Sequence, residues 1–220
     1  MPDSLRHAFA DQINDLEQDV IKMGSTVEQM LNKSIEALIL GNINLADSAI
    51  EMDDIVDDYN WQIEHDCLKL LALQQPMAKD LRVIAASLKI ITDIERMGDY
   101  VVDIARAVKH LYGQPWIKPL IQIPEMAERV KKMLRKTLEA YAGRNTDLID
   151  EIIKDDDHID KLYLKIKAEL LEEAKTDCEL IERAIDYIMI ARYLERLGDH
   201  LTNVCERIYY METGVMKELH

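Results

Sequence analysis

Two acidic motifs occur twice in this 220-residue chain, and their recurrence limits the fold to two copies of one unit. Glu95-Arg96-Met97-Gly98-Asp99 returns as Glu195-Arg196-Leu197-Gly198-Asp199 at a shift of 100. Asp53-Asp54-Ile55-Val56-Asp57 returns as Asp156-Asp157-His158-Ile159-Asp160 at a shift of 103. The apolar series Met23, Val27, Met30, Ser34 and Leu38 reappears at that same shift as Met126, Val130, Met133, Thr137 and Tyr141, and Asn145 answers Asn42. The second unit therefore lacks three residues between its two acidic motifs, and the natural place is the turn at Gln74-Gln75-Pro76.

Each unit reads as three helices. Leu16, Val20, Met23, Val27, Met30, Ser34 and Leu38 step by three and four, which keeps one helix face apolar up to Gly41. Asn42 or Asn44 can cap a second helix with the stripe Leu45, Ala49, Met52, Val56, Tyr59, Ile63, Cys67 and Leu70. Pro76 stands where a helix can start but not continue, ahead of a third stripe from Leu81 to Val108. Residues 113–124 hold three of the five prolines and read as a linker. In the second unit Thr176-Asp177-Cys178-Glu179 fits a capping box for the last helix. The expected fold is all-α: six long helices in two tandem three-helix bundles, 1–112 and 125–220.

The totals agree and exclude several functions. Seven Gly, five Pro and one Phe in a chain that is 48% hydrophobic suit long helices with a core, not many short strands. A net charge of −15 without a basic block repels phosphodiester backbones, so no nucleic-acid partner is expected. Cys67, Cys178 and Cys205 are odd in number and widely spaced, as in a reducing compartment. No basic n-region opens the chain and no apolar run nears the ~20 residues of a spanning helix, so a cytoplasmic protein without membrane insertion is expected.

The chemistry lies in the carboxylates. Positions four apart share a helix face, which pairs Asp53 with Asp57, Glu95 with Asp99, Asp156 with Asp160 and Glu195 with Asp199. Glu95 falls inside the apolar stripe of its helix, and Asp99 at its edge. Two carboxylates at that spacing repel by roughly 3 kcal/mol at an effective dielectric of about 20. Either some acids stay protonated or cations share the charge. All-oxygen donors favour hard or borderline ions such as magnesium, manganese, calcium or iron. Asp103 extends the first row by a turn, while Asn203 stands at the equivalent place in the second. Gly98 and Gly198, mid-helix, imply a close helix contact or room for a ligand. Arg96 and Arg196 are either partners for acids or ordinary exposed arginines, and His158 and His200, without first-unit counterparts, are not expected as ligands.

With Leu70-Leu71-Ala72-Leu73-Gln74-Gln75-Pro76-Met77-Ala78-Lys79-Asp80-Leu81-Arg82, the two E-R-x-G-D motifs make the chain resemble the PhoU family over nearly its whole length. That resemblance implies multinuclear metal clusters, iron or zinc in some members, held by E(D)-x-x-x-D motifs. The implied ligands are Asp53, Asp57, Glu95, Asp99 and Asp103, then Asp156, Asp160, Glu195, Asp199 and Asn203. It also implies a non-enzymatic negative regulator of phosphate homeostasis. Such a protein restrains the high-affinity phosphate ABC transporter through its ATPase and the phosphate-sensing histidine kinase, and works as a homodimer. A carboxylate-bridged oxidase and a metal store are the alternatives; the first calls for Glu-x-x-His pairs, and the nearest relative here is the single Asp155-x-x-His158.

Overall fold

The apolar stripes become helices in a computed structural model that describes residues 3–74, 76–115, 117 and 122–219. Those helices are α1 (Asp3–Leu40), α2 (Ile43–Glu51), α3 (Asp53–Gln74), α4 (Ala78–His110), α5 (Gln122–Gly143), α6 (Ile149–Thr176) and α7 (Ile181–Thr213). No strand occurs among the described residues. Repeat equivalence extends to the caps: the Asn42 side chain accepts from the Asn44 N–H, and Asn145 accepts from the Asp147 N–H, at 3.1 and 2.9 Å. Each satisfies an amide that the first helical turn leaves free. Position 41 and its equivalent 144 both turn the chain with positive φ, Gly41 at 60° and Arg144 at 49°. Arg144 offsets the side-chain strain by pairing with Glu17 at 2.8 Å.

Three local expectations are corrected. The second helix of the first unit is interrupted at Met52, where the backbone (φ −73°, ψ −13°) tightens and the Ile55 N–H reaches back only three residues to the Met52 carbonyl. Counting α2 and α3 as one interrupted helix restores six. The last helix is capped through Asp177, whose side chain accepts from the Glu179 N–H at 2.9 Å before a 3₁₀ turn at Cys178–Leu180. Thr176 stays inside α6, its hydroxyl spent on the Glu172 carbonyl, so it cannot cap. Of the expected linker, residues 116 and 118–121 lie outside the described residues, as does Gln75 of the turn before α4. Gln122, Ile123 and Pro124 already form the first turn of α5, where proline's missing N–H costs nothing.

In each repeat three long helices pack together: α1, α3 and α4, then α5, α6 and α7. The most extensive helix pair crosses between repeats, α4 against α7, and α1 also meets α5, so one continuous core serves both units. The seam is reciprocal. Asp93 on α4 accepts from Asn203 on α7 at 3.2 Å, while Tyr193 on α7, the equivalent of Asp93, bonds Asp103 on α4, the equivalent of Asn203. Such exchange of positions means that the two helices run antiparallel about a pseudo-two-fold axis. Tyr100 stacks on Tyr193 at 5.8 Å and leans on His200 at 5.6 Å along this axis.

Deep in the core a second polar link joins the repeats, Ser87 on α4 to the Tyr141 hydroxyl on α5 at 2.9 Å. Both residues are buried, so removing one partner leaves a hydroxyl without water to replace it. Tyr141→Phe is expected to cost about 1–2 kcal/mol in urea unfolding. Adding Ser87→Ala to it should cost less than the sum of the two single changes.

Candidate metal centre: two carboxylate clusters

Each cluster is set by how closely two helices approach. Asp53 opens α3, and its carboxylate lies against α4 where Gly98 has no side chain; a Cβ there would stand 3.1 Å from Asp53 Oδ1 and 3.3 Å from Val56. In the second repeat Asp156 presses still harder on Gly198, where a Cβ would overlap Asp156 Oδ1 outright. The mid-helix glycines therefore make room for an aspartate of the neighbouring helix. Glu95 and Asp99, one turn apart on α4, border Asp53, and Glu195 and Asp199 do the same for Asp156.

The electrostatics are those of acids crowded at the edge of a core. Burial, then the charges of Asp57, Asp99 and Glu95, pushes the Asp53 carboxyl up to about 6. Burial first, against a hydrogen bond from the Thr202 hydroxyl at 3.1 Å and with Asp160, Asp199 and Glu195 adding to it, pushes Asp156 up to about 6. Burial and then Asp99 raise Glu95; burial and then Asp199 raise Glu195 and Asp160. Arginines neutralise part of this charge. Arg96 pairs with Asp99 at 3.0 Å and touches Glu95 at 3.6 Å. In the second repeat Arg196 holds Asp199 at 2.8 Å and Arg192 pairs with Glu195.

Among the described residues, two buried oxygens of the clusters make no hydrogen bond, Asp156 Oδ1 and Glu195 Oε2, the latter 4.0 Å from Arg196 Nε. Unpaired anionic oxygens inside a fold are costly, and a cation is the partner their chemistry asks for. Among the described residues, no three His, Cys, Asp or Glu side chains are already gathered closely enough to hold an ion. The carboxylates are drawn toward their arginines instead. The donor set fits a hard or borderline cation, and loading it requires these side chains to turn away from Arg96, Arg192 and Arg196.

The structure brings Asp53, Asp57, Glu95 and Asp99 together, and likewise Asp156, Asp160, Glu195 and Asp199. Asp103 shares a cleft of about 350 Å³ with Asp53 and Asp99, and pairs with Arg106 at 3.1 Å. Asn203 reaches the seam, where its amide nitrogen donates to Asp93 at 3.2 Å. His200 joins it there, 2.8 Å from Asp93, and His158 is exposed with its ring against the Lys154 carbonyl. Sequence reasoning missed Thr202, Arg192 and Asp93. Thr202 could have been noticed where the repeat sets a hydroxyl opposite the apolar Val102; the other two carry no pattern, because their partners are chosen by packing.

The family model described as the PhoU domain matches residues 20–108 and again 123–208. The chain is 39% identical to the phosphate-specific transport system accessory protein PhoU homolog of Clostridium acetobutylicum, over 98% of this chain and 99% of that protein. It is 35% identical to the Deinococcus radiodurans homolog, over 96% of this chain and 99% of that one. Among solved structures, the phosphate transport system regulatory protein PhoU from Streptococcus pneumoniae superposes with a TM-score of 0.90 at 30% identity, covering 96% of this chain and 100% of that one. PhoU from Pseudomonas aeruginosa gives the same score and identity, covering 94% of this chain and 100% of its own.

The glycine contacts predict unequal outcomes for equivalent substitutions. Gly98→Ala gains helix propensity of about 1 kcal/mol against a small displacement of Asp53 and is expected near neutral, whereas Gly198→Ala is expected to destabilise by roughly 1–3 kcal/mol. In an Asp156→Ala background the same Gly198→Ala should become stabilising, as a double-mutant cycle in urea will read. The raised carboxyls also have a definite sign. Folded Asp156 holds its proton up to about 6, whereas an unfolded aspartate loses it near its ordinary value of 3.8. Its contribution to stability is therefore fully present below 3.8 and is lost as the pH rises through 6. Asp156→Asn should flatten the decline of metal-free stability across that window.

Proposed function

The chain belongs to the PhoU family, and from that premise we propose that it is an accessory regulator of a phosphate-specific transport system. One observation carries this reading: near-full-length identity of 39% to a curated accessory protein of such a system. We infer further that it acts in the cytoplasm as a homodimer, as a negative regulator, by contact with the transporter's ATPase and with a phosphate-sensing histidine kinase. Consistent with a role through partners, no helix among the described residues is long and apolar enough to cross a membrane. Membrane association would then pass through the transporter.

Metal binding is the second element of the proposal. Asp53, Asp57, Glu95 and Asp99 would hold ions in the first repeat, with Asp103 beside them, and Asp156, Asp160, Glu195 and Asp199 in the second. Iron, zinc, manganese or magnesium would supply the positive charge that the clusters lack. The support is the pair of orphaned oxygens on Asp156 and Glu195 and the raised carboxyls around them. An oxidase finds no such support: Asp155 is engaged by Lys136 at 3.1 Å, and the ring of His158 is held by its own helix. A storage role would use the same ligands without any partner.

Elemental analysis of protein purified without added metal should find bound ions, and a Glu95→Ala, Glu195→Ala variant should lose most of them; full metal content in that variant would defeat the ligand assignment. Deletion in the native host should leave phosphate-starvation genes on in phosphate-rich medium. Normal repression there would count against the regulatory role.

A further inference from the structure

Trp61 stands on the outer face of α3, 65% exposed. His65, one turn on, holds the indole in place: the two rings stack with centroids 5.5 Å apart and planes 6° from parallel. Ile55, Asp58, Tyr59 and Gln62 border a depression of about 430 Å³ beside the ring. Helical spacing then gathers acids around it. Asp54, Asp57 and Asp58 stand seven, four and three residues before Trp61, and Glu64 three after, so all four share its face. Each is exposed, and among the described residues none of them forms an ion pair. Residues 51–66 as a whole carry seven carboxylates and neither Lys nor Arg. Lys22 on α1, close enough to feel Tyr59, is held by Asp19 at 2.7 Å.

The second repeat keeps the exposed apolar position and loses the rest. Leu164 replaces Trp61 and is 62% exposed, and Ala168 replaces His65. The four acids become Asp157, Asp160, Lys161 and Lys167, so a face of four negative charges is answered by one in balance. Apolar exposure therefore follows from the fold, whereas the aromatic platform and its negative field belong to the first repeat alone.

Unpaired like charges on neighbouring turns repel, and a cationic partner relieves them. The flat ring decides which cation fits. A guanidinium stacks on an indole and bonds carboxylates through a planar fork, while an ammonium is a compact, strongly hydrated point charge. Nucleic acid and anionic lipid carry the sign of this face and are repelled. A second copy of the chain is a poor occupant too, because its net charge is −15 and its α6 face sets two lysines against two aspartates.

We propose that the Trp61 face of α3 is a docking site for an arginine-rich segment of a partner protein, with one guanidinium over the indole and others on Asp54, Asp58 and Glu64. Asp57 is shared with the proposed metal centre and the other three acids are not, so the surface works with or without bound ions. It goes beyond the regulatory reading by naming a contact surface and the chemistry of what meets it. Tryptophan is also the side chain most apt to carry the energy of such a contact.

The probe is a fluorescein-labelled peptide of about twelve residues in which arginines alternate with glycine and serine, titrated with the intact chain and read by anisotropy. Asp58→Lys with Glu64→Lys, which installs the second repeat's residues, is expected to weaken binding about tenfold or more. Glu172→Lys with Glu179→Lys makes the same change of charge at exposed positions elsewhere and is expected to weaken it less than about twofold. Trp61→Leu should weaken the arginine peptide about threefold and leave a lysine peptide of equal charge unaffected. Equal weakening by the two lysine pairs would reduce the binding to general attraction by an acidic protein and overturn the proposal. A lysine peptide that binds as tightly as the arginine one would overturn it as well. Self-association of the unaltered chain that Asp58→Lys with Glu64→Lys abolishes would do the same, by giving the face to a second copy. The assay needs only chain and peptide, so its failure leaves the regulatory reading standing. Failure of that reading, which the deletion phenotype decides, leaves this surface standing.

Discussion

Asp53 and Asp156 place a carboxylate directly against the backbone of a neighbouring helix, at Gly98 and Gly198. Much of the architecture depends on that contact. It brings α6 to α7 at a distance only glycine allows, and α3 to α4 at one that a small shift of Asp53 would open to alanine, and it sets the glutamates one turn before the glycines beside the aspartates. Burial then raises the carboxyls of Asp53, Glu95, Asp156 and Glu195, because the charged form loses water without gaining enough donors. The site is a store of unfavourable charge held in place by a core that is otherwise apolar.

Arginines relieve that charge on the outer side of each cluster. Arg96, Arg192 and Arg196 sit beside the acids on the same helices, so their ion pairs are local and partly solvated, worth little individually. Under the proposed metal binding, a cation that exchanged them for direct coordination would meet buried oxygens without a hydrogen bond at Asp156 and Glu195. The two repeats therefore differ in more than the Asp103 and Asn203 pair suggests. Thr202 supports Asp156, whereas among the described residues no side-chain hydroxyl bonds Asp53, the position equivalent to Thr202 being Val102.

The seam explains why two repeats behave as one body. Asp93 with Asn203 and His200, and Asp103 with Tyr193, place polar contacts symmetrically about the α4/α7 axis. The first and second clusters sit on either side of it, close enough that the His200 charge acts on Glu95. Both units thus present their acids, and beyond them their exposed apolar positions, as a related pair.

The repeat, the helices and the paired acids were legible in the residues, because periods of 3.6 and matched shifts of 103 and 100 survive divergence. The sequence by itself determined which carboxylates would share a helix face, where α1 and the proline-led α4 would carry their stripes, and that Asn42 or Asn44 could cap a second helix, with Asn145 answering Asn42. Only the tertiary structure decided that the glycines face an aspartate of the neighbouring helix, that Asn203 reaches the seam, and that Asp177 replaces Thr176 as a cap. The reason is physical: periodicity along a chain reports which side chains lie on one face of their own helix, while contacts between helices depend on crossing distance and rotation, which no single helix encodes.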